Sequence, residues 1–401
     1  MDSNVRNLFL KHVAQTSEEP LGLQIERAAG VYMFDDENKS YLDFISGISV
    51  SNLGHRHPKI IEAVKKQLDS YSYLMVYGEF IQKPQVALAD LLTHQLPSNL
   101  SSVYFVNSGS EANEGALKLA KRFTAREEII GFKNAYHGST HGCLSVIGNE
   151  EQQKGYGPLL PKVKHLEFNK IEDLNEITDH TACVIIEPIQ GEAGVVEADF
   201  CFLKALREKC NETGALLIFD EIQTGFGRTG KIFAFEHYGI VPDILTLAKA
   251  MGGGFPIGAF IASNEIMNVL THDPVLGHIT TFGGHAVSCT AALAHLKILL
   301  EQKELIESVD SKAKLLMENF QHPFIKQKRN KGFLMAIEFE NFEINHAVIK
   351  QCIKNGLLTD WFLFNPQSLR IAPPLIINEE EILKGATIIQ KSIEEVCSVK
   401  K

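Results

Sequence analysis

Apolar positions fall into two textures along the chain. Between about residues 103 and 262, short continuous apolar runs recur at 103–106, 129–132, 183–186, 215–219, 244–247 and 257–262. Amphipathic stretches with helical spacing separate them. Uninterrupted apolar runs mark strands buried on both faces, so this part predicts a mostly parallel sheet covered by helices. Ahead of it, residues 31–44 alternate around the turn-forming Asp35-Asp36-Glu37-Asn38 and predict a hairpin. Pro58 opens a helix with Ile60, Ile61, Val64 and Leu68 on one face. From about residue 290 a long helix gives way to mixed helix and strand, a smaller α+β region. No repeat, low-complexity stretch or linker divides the chain, so its domains interleave.

Composition narrows the function classes. At ~150 residues per domain, 401 residues allow two or three units. The 45% hydrophobic and 22% charged content is that of a globular chain, not of a disordered, collagenous or coiled-coil one. Lys+Arg 39 against Asp+Glu 49 gives −10, which leaves no broad basic surface for nucleic acid or anionic lipid. A small anion held by a few local groups stays possible. Seven cysteines, an odd count without a CxxC pair, fit reduced thiols in the cytoplasm better than a disulfide framework or zinc site, and no metal is expected. The opening residues carry Asp2 and lack a continuous apolar core, and no run of about 18 apolar residues occurs. Neither a signal peptide nor a membrane span is therefore expected.

In covered parallel sheets, ligands sit beyond the carboxyl ends of the strands. The 215–219 run ends in Asp220-Glu221, which reads either as a helix cap or turn or as a site. Gly225-Phe226-Gly227-Arg228-Thr229-Gly230 matches a dinucleotide fingerprint and part of a phosphate-binding loop. Five residues separate it from the strand, however, no full helix follows, and Ile232 stands where magnesium needs a hydroxyl. The 244–247 run leads into Lys249 and then Gly252-Gly253-Gly254. Such a lysine is either a turn residue or, in an apolar pocket, an amine with a lowered pKa and nucleophilic character. After Val106, Ser108 and Glu111 form a capping box, placing a helix N-terminus directly after a strand. That is a capped helix and also a ready anion site. Tyr136 either fills core or stacks on a flat ligand. Glu187 and Glu192 follow the 183–186 run. Together these ends offer a phosphate cradle, an aromatic plate, an aspartate and a lysine, the set suited to pyridoxal 5′-phosphate.

Eight ordered stretches carry a resemblance to a family: YLDFISGISVSNLGHRHP (41–58), NSGSEANEGALKLA (107–120), YHG (136–138), EPIQGEAG (187–194), LLIFDEIQTGFGRTG (216–230), LTLAKAMGGGFPIGA (245–259), TTFGG (280–284) and LRIAPPLII (369–377). With them the chain resembles the class III aminotransferases, pyridoxal-phosphate enzymes of the type I fold. The resemblance implies an α/β large domain, residues 46–290, built on a mostly parallel seven-stranded sheet. This domain interrupts a smaller α+β domain made from residues 1–45 and 291–401. It implies that Lys249 forms a Schiff base with the cofactor and that Asp220 bonds the ring nitrogen. Gln223 then lies near the phenolic oxygen, Tyr136 and Ile222 cover the two ring faces, and Ser108, Gly109 and Ser110 hold the phosphate. His137 and Glu187 belong to the same cofactor site. Thr281 reaches the phosphate bound by a neighbouring subunit, making a homodimer with shared sites. Arg370 grips a substrate carboxylate, and in some members Glu192 pairs with that arginine and hides it.

Two departures bear on the donor. Ser139 stands where many ornithine, acetylornithine and 4-aminobutyrate members carry an arginine, and Ile48 where ornithine members place a tyrosine. With Tyr73 lining it, this makes the donor side more apolar and favours an amine or ω-amino acid outside those three, with a 2-oxo acid such as 2-oxoglutarate or pyruvate as acceptor. The same scaffold also serves aminomutases and racemases, and more remotely ligand-sensing modules.

Overall fold

The computed structural model describes residues 2–76 and 78–398. Its largest sheet has seven strands in the order Ser102–Val106, Gly258–Ala262, Ile244–Leu247, Leu216–Asp220, Thr181–Ile186, Glu128–Phe132, Val163–Leu166. Gly258–Ala262 runs against both of its neighbours, while the pairings from Ile244–Leu247 out to Val163–Leu166 are parallel. Six strands coincide with the apolar runs. The seventh, Val163–Leu166, is an edge strand of sequence Val-Lys-His-Leu that buries only its last residue fully. With one edge open it needs no continuous apolar run, so hydrophobicity alone does not announce it.

The central strands show why continuous runs are required. Every residue of Thr181–Ile186 is buried. Cys183 and Ile185 join Ala112, Ala116 and Leu119 of the helix Gly109–Thr124, while Val184 and Ile186 enter the main core with Phe202 and Leu206 of the helix Phe200–Thr213. Successive side chains point to opposite faces, and both faces are covered.

The hairpin forms as expected, with Tyr32 opposite Leu42 and Met33 opposite Tyr41. Asp35 secures its turn by accepting hydrogen bonds from the Glu37 and Lys39 amides and from Tyr41 Oη. The strand Ser40–Asp43 then pairs in parallel with Leu357–Leu358, so one four-stranded sheet contains segments from both ends of the chain. A third sheet has the order Gln327–Lys331, Leu334–Glu338, Asn365–Ile371, Asp360–Phe362. The helix Pro58–Ser70 forms, but its apolar stripe is not uniformly buried: Ile60 and Val64 are in the core, Ile61 is half-buried and Leu68 is exposed.

The fingerprint-like Gly225–Gly230 passage turns without making a full helix, and its role is cohesive. Arg228 is wholly buried and donates to the Pro373 carbonyl at 2.5 Å, to the Phe333 carbonyl and to Asn52 Oδ1. It thereby ties the loop after the central strand to both the N-terminal and C-terminal segments.

His295, on the helix Ala286–Glu301, is fully buried beside Phe226, and neither ring nitrogen has a hydrogen-bond partner among the described residues. Burial, with His57 adding like charge, pushes its pKa down to about 3. An unfolded chain holds that proton more readily, so stability present at neutral pH is lost as pH falls from the ordinary histidine range toward about 3. The slope of unfolding free energy against pH over this window should be shallower in His295→Leu than in the parent, measured by urea titration; an unchanged slope would refute the assignment.

Candidate active site

Polar groups at the strand ends converge on one cavity of about 480 Å³. Ser108, Gly109, Ser110, Tyr136, His137, Glu187, Asp220, Ile222, Gln223 and Lys249 all line it, together with Val50. Thus ten of the eleven residues assigned to the cofactor from sequence meet in a single space. The eleventh, Thr281, is exposed outside it, where its carbonyl accepts the Tyr73 hydroxyl at 2.8 Å.

Asp220 and Glu221 part company. Glu221 is completely buried and accepts the Ala234 and Phe235 amides at 2.5 and 2.7 Å and the Thr224 hydroxyl. It caps the short helix Ala234–His237, and burial pushes its pKa up to about 7. Asp220 faces the cavity. Its Oδ2 accepts from Asn113 Nδ2 at 2.7 Å and pairs with His137 Nδ1 at 2.8 Å, while Oδ1 accepts the Ile222 amide at 3.0 Å. Asn113 also donates to the His137 carbonyl and accepts from Thr246 Oγ1 at 2.7 Å. The helix, the aromatic loop and two strands therefore share one hydrogen-bond network centred on a carboxylate.

Asn113 and Thr246 escaped the sequence reading. A polar residue on an otherwise Ala-rich helical face, and a threonine inside an apolar strand, were the available signals. Ser108 caps its helix by accepting the Glu111 amide at 3.2 Å, but the Glu111 carboxylate reaches Asn107 rather than Ser108, so the reciprocal half of the capping box is displaced by one residue.

Lys249 occupies a left-handed backbone conformation, φ +46°, which non-glycine residues rarely adopt. Burial lowers its pKa, with Glu192 pulling the other way, and its amine forms no ion pair among the described residues. Gly138 lies at φ +120°, where an added Cβ would sit 2.0 Å from Ser110 Oγ, so glycine is what lets the aromatic loop close on the helix start. Buried Glu187 accepts the Tyr136 and Gly191 amides, and burial pushes it up to about 7.

Next to the cavity, Arg370 and Glu192 form a bidentate pair: Nη1 to Oε1 and Nη2 to Oε2, both 2.7 Å. Glu192 also accepts from Gln223 Nε2 and the Leu363 amide. Burial alone would raise Glu192, but Arg370 and then Lys249 hold it down to about 2. Ile48 and Tyr73 lie outside the cavity lining. Tyr73 stacks on His285 and meets Phe282 at a tilt, and Ser139 meets Tyr136 Oη at 3.2 Å.

The Aminotransferase class-III family model matches residues 13–393. The chain belongs to the class III aminotransferases. An acetylornithine aminotransferase of Methanocaldococcus jannaschii is 42% identical over 88% of this chain and 89% of its own. One from Caldanaerobacter subterraneus is 39% identical over 93% and 95%. A [LysW]-aminoadipate semialdehyde/glutamate semialdehyde transaminase of Sulfolobus acidocaldarius is 39% identical over 94% and 96%. Among solved structures, a Virgibacillus transaminase superposes with a TM-score of 0.93 at 27% identity, covering 99% of this chain and 100% of that one. An ornithine aminotransferase of Toxoplasma gondii, with pyridoxal phosphate partially occupying its active site, gives 0.92 at 28% over 100% and 96%.

The enzyme is a transaminase, and its cofactor is pyridoxal 5′-phosphate. The residues present fit that group. Gln223 Oε1 and His137 Nε2 are buried at the cavity without partners among the described residues, and the start of a 16-residue helix supplies an anion-binding end. Replacing Asn113 by Ala should lower turnover and weaken cofactor retention by roughly 10- to 100-fold, because a hydrogen bond to a charged group is worth about 1.5–3 kcal/mol. Normal turnover and retention, measured by steady-state assay and cofactor titration, would show that Asp220 does not depend on this network.

Proposed function

We propose that this class III aminotransferase moves an amino group from an amine or an ω-amino acid to a 2-oxo acid, 2-oxoglutarate or pyruvate, with Lys249 and Asp220 as its catalytic residues. The observation that carries the proposal is the placement of Lys249 and Asp220 across one cavity with the shielded Arg370 beside it. When bound, pyridoxal phosphate supplies an electrophilic aldehyde and an electron-accepting ring.

The protein's part is division of labour. Gly109, Ser110 and Ser108 hold the phosphate through the helix start. Asp220, fixed by Asn113 and His137, would hold a proton at the ring nitrogen, and Gln223 would serve the phenolic oxygen. Tyr136 and Ile222 confine the ring from its two faces. Lys249, whose pKa burial lowers, would offer Nζ as a nucleophile and as the group that takes up and returns the proton of the substrate's amine-bearing carbon. Arg370 binds the acceptor's carboxylate in bidentate fashion once Glu192 releases it. Lys249→Ala should abolish turnover and the visible absorbance of the resting enzyme, and full activity in that variant would end the assignment.

The donor side follows from what is missing. Ser139 and Ile48 provide neither a cation nor a phenol as a polar handle, which leaves Arg370 as the main carboxylate grip, so we assign donors outside ornithine, acetylornithine and 4-aminobutyrate, although several relatives bear the name acetylornithine aminotransferase. A panel of amines titrated against the cofactor absorbance should show bleaching by simple amines and ω-amino acids. A strong preference for ornithine over them would overturn this reading.

Thr281 is assigned to the phosphate site of a second copy, in a homodimer with shared sites. Exposed Leu74, Met75, Phe80 and Ile81, with Val275, Leu276, Ile279 and Phe282, give the neighbourhood of Thr281 the apolar surface that such an interface buries. Cys143, Cys183, Cys201, Cys210, Cys289 and Cys352 form no disulfide, which fits the reducing cytoplasm as its location.

A further inference from the structure

We infer that Asp360 is a specificity-determining residue whose negative charge loosens the grip of Arg370 on a substrate carboxylate. The inference rests on the reading of Arg370 as the carboxylate site and adds a second acid to it. The strands Asp360–Phe362 and Asn365–Ile371 are antiparallel, with Asp360 directly opposite Arg370. That register fixes the acid beside the guanidinium, and Thr359 Oγ1 donating to the Arg370 carbonyl at 2.5 Å holds it there.

Arg370 is engaged on every side. Glu192 takes both Nη groups, the Trp361 carbonyl accepts from Nη2 at 2.9 Å, and the Phe362 ring lies 4.6 Å from the guanidinium carbon. Asp360 Oδ1 is 2.9 Å from Nε, yet neither atom has a well-aligned hydrogen bond. What Asp360 contributes at this edge is therefore charge rather than a directed bond.

The consequence is a matter of counting. With Glu192 in place, one cation faces two anions. Glu192 is tied to Gln223 Nε2 and the Leu363 amide as well, so letting go of Arg370 does not take it out of the cluster; a substrate carboxylate then brings a third anion, where a site without Asp360 would hold two. Asp360 thus taxes every carboxylate that approaches Arg370 and spares donors that make no use of it, an electrostatic way of setting specificity by penalty. Arg370, Glu192 and Asp43 face Asp360, with Lys249 behind Glu192 and His55 bonded to Asp43. Burial, Glu192 and Asp43 raise the Asp360 carboxyl to about 6 against the pull of Arg370.

The test uses the holoenzyme and glutarate, an unreactive dicarboxylate that competes for Arg370. Asp360→Asn keeps the shape and removes the charge. It should lower the glutarate inhibition constant and the KM for 2-oxoglutarate at least about fivefold, with the change in KM exceeding any in kcat; a constant that is unchanged or raised overturns the inference. Should that variant fail to fold, the wild type still decides. Protonating Asp360 removes the repelling charge, so glutarate should bind more tightly below about pH 6 than above it, and a flat or opposite trend counts against the role. Arg370→Ala separates the two claims. Loss of glutarate binding in Arg370→Ala with no effect in Asp360→Asn removes Asp360 alone, while unaffected binding in Arg370→Ala removes the carboxylate site itself, and this inference with it.

Discussion

Asp220 is a carboxylate at the end of a strand whose five residues are all buried. A charged group in that position is tolerated only where donors surround it. Asn113 from the helix, His137 from the aromatic loop and the following Ile222 amide provide them. Thr246 on the adjacent strand in turn holds Asn113. Satisfying one charge therefore fixes the distance between sheet, helix start and aromatic loop, the three elements that must enclose a phosphorylated aromatic ring. The cavity is in this sense a by-product of hydrogen-bond accounting around a single residue.

The same reasoning separates the charged groups that work from those that hold the fold together. Glu221 follows Asp220 immediately, yet its carboxylate is taken up by the Ala234 and Phe235 amides and the Thr224 hydroxyl. Arg228 donates to two backbone carbonyls and an asparagine in distant segments. Lys249 is placed differently, on a strained backbone with its amine in no ion pair among the described residues, and Arg370 is the cation that we propose exchanges Glu192 for a substrate carboxylate. Charge that is fully committed is structural; charge with exchangeable partners is where chemistry can occur.

Much of this was legible in the chain. Six strands of the main sheet were visible as apolar runs because both faces of a covered parallel sheet must be apolar, and their ends pointed to Ser108, Tyr136, Glu187, Asp220 and Lys249. Val163–Leu166 was hidden, since an edge strand escapes that requirement. Leu68 was misplaced because helical periodicity marks a stripe but not how far the neighbouring elements extend over it. Asn113 and Thr246 were overlooked because each has meaning only through a partner far away in sequence, and Asp360 because only the strand register sets it opposite Arg370.

By itself, then, the sequence determined the alternation of strand and helix and the carboxyl-end placement of the polar residues that meet in the cavity, Lys249 and Asp220 among them. Those features follow from local patterning and short spacing, which a linear chain displays openly. Tertiary structure alone decided which of two adjacent carboxylates faces the cavity, which acid pairs with Arg370, and that this cation meets two acids rather than one. These are questions of distance and solvation between residues separated by up to about 180 positions, and only the folded arrangement of strands and loops answers them.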